Sequence, residues 1–515
     1  MNRYTKIATT RLVRMVMGLT FLTAGIFFSY AVPKGDIPSP KREFRGAWLH
    51  VIGQSQYMDM STEKAKAYIS DQLDKLQEAG CNAVIFQVRP TADAMYESEL
   101  EPWSYWLTGK RGRAPEPMWD PLKYALDEAH RRGMEFHAWL NPYRVTSTPK
   151  EVLPSSHMVN KEPHRFVRFD GKIFFDPAYP ENRDFICEVV KDITRRYDVD
   201  AIHIDDYFYP YPANGKRFEA DDASYRKFGN GMERRAWRRH NVDMLIQQLD
   251  TTIKNTKPWV RFGVSPFGIW RNKANDPKGS ESSGLQNYDD LYADVLLWAE
   301  KGWIDYLVPQ LYWTLDMKAA PSRKLAKWWN DNTPAGVDLY IGQDVQRTMT
   351  NADPGTGDRN ELATKVRLSR ELPNVKGNVW WHGYWVTGNL KGVADSLATR
   401  HQRTLALPPA WGDKSVRPVA PSGLKSEIRD GMTIISWNPP ARDTEQSEND
   451  IIRYAVYEFF EGETPDIENT EALIAVTPVN ALAVGSSDGS LKGTVYLITA
   501  LDRMNRESAP ARFSF

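Results

Sequence analysis

The chain has 515 residues, enough for two or three domains, and its 66 lysines and arginines equal its 66 aspartates and glutamates. Zero net charge gives no electrostatic reason to expect nucleic acid as a partner. The compositional outlier is the aromatic content, with 18 Trp and 23 Tyr, flat amphipathic rings that suit sugar faces as well as ordinary cores.

The N-terminal stretch carries Arg3, Lys6, Arg11 and Arg14, then an apolar run from about Val16 to Ala31 with small residues Ser29 and Ala31 at its end. This pattern predicts a secretory signal peptide over residues 1–32. A retained anchor is the alternative, because the run is near the lower length limit for spanning a bilayer. No cysteine near the end of the run offers a lipidation site, so the expectation is an exported protein, periplasmic or cell-surface associated, with no stable membrane insertion after cleavage. The two cysteines, Cys81 and Cys187, sit in apolar surroundings and read as buried free thiols.

After a linker at 33–41, one pattern recurs: an amphipathic helix ends in Gly or a charged turn, a short apolar strand follows, and polar and aromatic residues gather at the strand's end. "DQLDKLQEAGCNAVIFQVRP" shows it, with Ile69, Leu73, Leu76 and Ala79 on one helical face. "ALDEAHRRGMEFHAWLNPYRV", "EVVKDITRRYDVDAIHIDDYFYP", "QLDTTIKNTKPWVRFGVSPFGIW" and "VLLWAEKGWIDYLVPQLYW" repeat it. Adding "REFRGAWLHV", "GVDLYIGQDV" and "GNVWWHGYW" gives about eight strands, the number a closed (β/α)8 TIM barrel requires. An open doubly wound sheet is the competing architecture, but no GxGxxG or GxxxxGK[ST] follows any of these strands. The predicted barrel covers 42–407. A proline-rich linker follows at 408–421. The β-type runs "MTIISWNPP", "IRYAVYEFF", "ALIAVTP" and "GTVYLITALDRMNRES" then predict a small all-β sandwich of immunoglobulin or fibronectin type III type over 422–515.

Side chains alternate along a strand, so parity sorts them into barrel-facing and helix-facing sets. In "IHIDDYFYPY", Ile202 and Ile204 fall on the helix-facing side and His203 and Asp205 on the barrel-facing side, with Asp206 opening the loop above and expected to face differently. The same test points Gln87 and Arg89 inward, then His137, Trp139 and Asn141 followed by Tyr143 and Arg144, then Gln310 and Tyr312 beside Trp313, and Gln343. With Tyr207, and apart from Trp139 and the acids, these residues are the expected substrate-binding set. Trp380, Trp381 and Trp385 read as a mixture of core rings and stacking platform.

Glycosidic cleavage needs two carboxyls, one to protonate the leaving oxygen and one to attack or to activate water. Asp205 is the expected nucleophile or base. For the second, Asp93 ranks first in the loop "RPTADAMYESELEPWSYWLTG", which also offers Glu97, Glu99 and Glu101; Asp344 and Asp206 are the other candidates. His137 and His203 read as hydrogen-bonding residues: no HxH, HExxH or CxxC spacing supports a metal, and no cofactor is expected. A non-catalytic glycan-binding surface protein and a metal-dependent deacetylase on the same scaffold are the rival readings.

Taken together in order, "FRGAWLHV", "VIFQVRPTADAMYESELEPWSYWLTG", "FHAWLNPYRV", "VDAIHIDDYFYP", "FGVSPFGIWRN" and "DYLVPQLYW" resemble the glycosyl hydrolase-like 10 family of bacterial envelope proteins. The resemblance spans about Arg42 to Trp385. It implies a (β/α)8 barrel, often with a fibronectin-like tail, that hydrolyses O-glycosidic bonds of a polysaccharide or oligosaccharide outside the cytoplasm, most notably peptidoglycan glycan strands freed of stem peptides. It also implies that Asp205 and Asp206 form the catalytic region, with Asp93 and Arg89 in the same mouth.

Overall fold

The computed structural model describes residues 38–155, 157–441, 445–486 and 491–515. The expected signal peptide and the first part of the linker after it lie outside these residues. The chain divides into two compact units, one formed by Phe44–His130 and Met134–Ala398 and the other chiefly by Thr399–Phe515.

The first unit is a closed parallel barrel. Its strands are β1 (Phe44–Leu49), β2 (Ala83–Arg89), β3 (Glu135–Leu140), β6 (Ala201–Ile204), β7 (Arg261–Val264), β8 (Tyr306–Leu307), β9 (Asp338–Asp344) and β10 (Val375–Trp381), and β10 closes onto β1. An antiparallel hairpin, β4 (Phe166–Phe169) with β5 (Lys172–Phe175), is inserted between β3 and β6. The helix Thr62–Glu78 shows why the alternation folds this way. Ser61 caps it by accepting from the Lys64 backbone amide, and Ile69, Leu73 and Leu76 form its buried stripe. Helix Pro180–Arg196 starts with proline at its first position and buries Ile186, Val189, Val190 and Ile193 before the chain enters β6.

Aromatic residues fill the barrel interior. Phe44, Trp48, Trp139, Tyr306 and Tyr340 pack with Ile85, Val308 and Val379, and Tyr312 and Trp381 join them. The Phe44 and Tyr340 rings stack at 4.1 Å. Gly263 on β7 leaves the room that Tyr306 occupies: a Cβ there would lie 1.9 Å from the Tyr306 ring carbon Cζ. Cys81 and Cys187 are free and buried.

The second unit holds seven strands in two antiparallel sheets. β11 (Ser422–Arg429), β12 (Met432–Asn438) and β15 (Ala481–Ser486) form one; β14 (Leu473–Thr477), β13 (Ile451–Phe459), β16 (Val495–Asp502) and β17 (Ala511–Ser514) form the other. Ile435, Trp437 and Val484 from the first sheet pack with Tyr454, Val456, Tyr496 and Ile498 from the second, which gives the sandwich its core. The four β-type runs read from the sequence become β12, β13, β14 and β16. The exposed β11, the short β17 and β15 fall outside those runs; neither β11 nor β17 presents a continuous buried face.

Candidate active site

β6 sets the position of the acids. Ala201 joins the interior cluster and His203 reaches Tyr306 across the barrel, while Ile202 and Ile204 are buried on the other face. In register, His203 lies beside Trp139 of β3, so the inward position after His203 meets the inward position after Trp139. There Asn141 Nδ2 donates to Asp205 Oδ1 at 2.8 Å and Trp139 Nε1 donates to Oδ2 at 3.2 Å. The Tyr207 backbone amide donates to Oδ1 at 3.3 Å. Asn141 is itself oriented, since its Oδ1 accepts from the Arg144 amide at 2.9 Å. Arg144 donates to the Pro90 carbonyl and lies 4.4 Å from the Tyr207 ring centre.

Asp206 lines the same cavity as Asp205. The expectation that it would face elsewhere extended strand alternation past Ile204, where β6 ends; beyond that residue the chain turns, with the Phe208 amide donating to the Asp206 carbonyl. Tyr211 Oη donates to Asp206 Oδ2. The cavity has a volume of about 470 Å³. Its walls beside the acids are Trp48, Trp139, Tyr312 and Trp381, together with Gln87, Ser265 and Gln310. Tyr312 and Trp381 are nearly parallel, 16° apart with centres 6.0 Å distant, and Trp48 and Trp139 each meet Trp381 edge-on at 6.2 Å. Gln310 donates to the Ser265 carbonyl at 2.9 Å, and Gln87 holds the end of β1 by accepting from the Val51 and Ile52 amides.

The two acids share this space but not their electrostatics. Burial raises the Asp205 pKa, and Arg144, Asn141, the Tyr207 amide and Trp139 all oppose the rise. Burial, and then the charge of Asp205, push Asp206 up to about 7, with Tyr211 and Gln310 opposing. Burial raises both carboxyls, and the charge of Asp205 pushes Asp206 further, so Asp206 is the member of the pair driven toward retaining a proton near neutral pH. That division is what acid catalysis by a carboxyl pair requires.

Several expected site residues lie elsewhere. Asp93 is fully buried in its own loop, accepting from Thr91 N, Thr91 Oγ1 and Tyr105 N at 3.0–3.1 Å, with Arg111 Nε at 3.5 Å. It does not line the cavity. Arg89 is consumed by Glu101, with Nε to Oε2 at 2.7 Å and Nη2 to Oε1 at 2.5 Å, and it also donates to the Asn141 and Pro142 carbonyls. It braces the end of β3 and does not reach the cavity.

His137 and His203 do point inward, but one layer or more below the mouth. His203 Nε2 contacts Trp48 Nε1 and Ser265 Oγ, and its Nδ1 contacts Tyr306 Oη; Tyr306 in turn reaches His137, whose Nε2 lies 3.1 Å from Glu135. Tyr143 is buried among electrostatic neighbours Arg183 and Cys187 of the helix Pro180–Arg196. Trp313 packs edge-on against Phe267, behind the cavity wall. Gln343 faces the helix layer: its Nε2 donates to Asn378 Oδ1, which also accepts from Ser369 of the helix Leu362–Glu371. On β9 the interior position belongs to Tyr340, so Gln343 has the opposite parity. Asp344 caps the helix Val345–Thr350.

The site also uses residues the sequence reading passed over. Trp48, His50 and Ile52 lie at and just beyond the end of β1, and the alternation within "FRGAWLHV" puts Trp48 and His50 on one face. Tyr211 and Phe267 sit on irregular backbone, where no periodicity points to them. Among the described residues, no group of three or more His, Cys, Asp or Glu is placed to hold a metal ion.

The family description glycosyl hydrolase-like 10 matches residues 43–354, more than half the chain. The protein named glycosyl hydrolase YngK from Bacillus subtilis (strain 168) is 35% identical over 98% of this chain and 99% of its own length. Glycosyl hydrolase DigH from Escherichia coli (strain K12) is 37% identical over 67% of this chain and 84% of its own. Among solved structures, the PgaB (BpsB) glycoside hydrolase domain from Bordetella bronchiseptica is a distant likeness, at 11% identity and a TM-score of 0.44 over 69% of this chain and 98% of that one. With the family match covering most of the barrel and one relative matched along nearly its full length, this chain is a glycoside hydrolase that belongs to the glycosyl hydrolase-like 10 family.

Proposed function

We propose that the enzyme is exported and cleaves O-glycosidic bonds of peptidoglycan glycan strands that have lost their stem peptides, with Asp205 and Asp206 as the working carboxyls. The observation that carries this reading is the pair itself: two buried acids at one cavity, one bound by three hydrogen-bond donors and the other with its pKa raised to about 7. Asp206 protonates the leaving oxygen, and Asp205 in its ionised form stabilises the positive charge that develops on the sugar ring. The Tyr312–Trp381 platform offers stacking faces to pyranose rings, and Arg144 offers a cation to the lactyl carboxylate that a peptide-free muramyl residue exposes. The leader pattern in residues 1–32 supports export.

The test is reducing-end release from purified wall glycan before and after amidase stripping of the peptides. Release from stripped glycan that falls to background in Asp205→Asn and Asp206→Asn, with both variants still binding the glycan, supports the reading. Equal release from unstripped wall, or undiminished release by the Asp206→Asn variant, removes it.

A further inference from the structure

Of the side chains lining the cavity, only Asp205 and Asp206 are acids. They leave the end of one strand as consecutive residues, so both stand on one side of the barrel. The strand order places β10 four positions from β6 in either direction, and β10 ends in Trp381. The wall across from the acids is therefore aromatic. A glycosidase that forms a covalent glycosyl ester needs its acid and its nucleophile on opposite sides of the scissile bond, and an inverting one needs a carboxylate on the far face to activate water. Among the described residues that line the cavity neither far-face group is present; Asp344, at the end of β9, acts on Tyr312 from outside this lining, with its Oδ1 accepting from the Arg347 amide as a helix cap.

We propose that the substrate supplies the nucleophile itself, as the carbonyl oxygen of the 2-acetamido group on the sugar being cleaved, which makes the enzyme selective for N-acetylhexosamine glycans. The inference rests on the glycoside hydrolase reading of this cavity and specifies which sugars it takes. Asp205 accepts from three protein donors, and a carboxylate has about four acceptor sites, which leaves one for an acetamido N–H. Trp139 donates to Asp205 and also meets Trp381 edge-on, so the carboxylate borders directly on apolar ring surface that suits the acetamido methyl. A hydroxyl in place of the acetamido group would leave that apolar surface unfilled.

The chemistry balances in two steps. In the first, the acetamido oxygen forms a bond to the anomeric carbon as the bond to the leaving oxygen breaks. Asp206 gives its proton to that oxygen, and the Asp205 carboxylate stabilises the positively charged oxazolinium ring through its N–H. In the second, water attacks the anomeric carbon and gives a proton to the Asp206 carboxylate. The ring opens, the acetamide is restored, and the new hydroxyl has the configuration of the original bond.

Three measurements on the full enzyme test this: cleavage of peptide-free wall glycan, cleavage of the same glycan after chemical de-N-acetylation, and inhibition by the bicyclic thiazoline made from N-acetylglucosamine. The expected results are product of retained β configuration by NMR, cleavage at least about 100-fold slower after de-N-acetylation, and competitive inhibition by the thiazoline. Inverted product, equal rates on the two glycans, or a glycosyl ester trapped on Asp205 by a 2-fluoro glycoside overturns the inference while leaving a glycosidase that cuts wall glycan. Absence of cleavage of any N-acetylated glycan removes both the inference and the reading beneath it.

Discussion

The mouth of the barrel and the loop after β2 each hold buried acids beside an arginine, but only the mouth keeps its acids on a cavity wall. Asp93 and Asp205 are almost equally hidden, at 0% and 4% exposure. Around Asp93, Thr91, Tyr105 and Arg111 close every approach, and nearby Arg89 and Glu101 neutralise each other in a two-point pair. Around Asp205 and Asp206, the donors hold the carboxyls in place but leave them on a cavity wall. Burial therefore does not separate a catalytic acid from a structural one. What separates them is whether the hydrogen-bonding capacity is spent within the fold or kept for something that enters.

The sharpest test of this contrast is to neutralise each acid in turn. Asp206→Asn removes the proton donor and lowers kcat by about 10²–10⁴-fold on a substrate whose leaving group needs protonation. A synthetic substrate with an acidic phenol leaving group recovers much of that rate, a rescue that separates loss of the acid from misfolding. Asp93→Asn loses its ion pair with Arg111 but retains a similar shape, so it costs about 1–3 kcal/mol of stability in urea unfolding and leaves kcat per folded molecule unchanged. If Asp93→Asn instead stops turnover in a folded protein, the loop belongs to the active site and the comparison fails.

Next in size is the loop's own ion pair. Arg89→Met strands the Glu101 carboxylate, whose side chain is 3% exposed, and costs about 3–5 kcal/mol. The double variant Arg89→Met/Glu101→Leu recovers much of this, because the larger part of the penalty is the unpaired charge. The unfolding midpoints of the two single variants and the double variant measure the recovery.

The mouth should show the opposite behaviour with pH. The folded pKa of Asp206 lies at about 7, above the unfolded value of about 3.9. Proton binding by Asp206 thus adds stability that is fully present below pH about 4 and is lost as pH rises to about 7. Asp206→Asn, which never carries the charge, gains on wild type by roughly a few kcal/mol between pH 4 and pH 8. Over the same range, wild-type kcat/KM falls as Asp206 gives up its proton. Urea titrations at the two pH values check the first effect, and a pH–rate profile checks the second.

The barrel was legible in the sequence because helix and strand periods alternate with little interruption, and the inward set on β2, β3 and β6 followed from parity alone. What parity could not supply was depth. His137 and His203 point inward as expected, yet a barrel interior has layers, and only the topmost one meets substrate. Arg89 fails for another reason: the register shifts between Gln87 and Arg89, and its guanidinium is taken by Glu101. The rule also stops where a strand stops. Asp206, two residues past β6, faces the cavity through a turn, and Tyr211 reaches the same acid from irregular backbone. Asp93 misled for a different reason: its neighbours in sequence look like a mouth loop, but its donors from Tyr105 and Arg111 become visible only once that loop is folded.

Gln343 gives the smallest effect and tests parity most directly. It was expected among the substrate ligands, but it faces the helix layer and donates to Asn378, which Ser369 also engages. Asn378 Oδ1 keeps Ser369 as a donor when Gln343 is replaced by leucine, so the loss amounts to one neutral hydrogen bond, about 1 kcal/mol. KM for the glycan stays unchanged. Gln310→Leu, by contrast, removes a side chain that lines the cavity and faces Asp206. With an opposing influence lost, the Asp206 pKa climbs further, and the descending limb of the pH–rate profile moves to higher pH. A shift of that limb in Gln310→Leu with none in Gln343→Leu fixes which glutamine belongs to the mouth; a KM change in Gln343→Leu would mean that β9 presents the other face to the substrate.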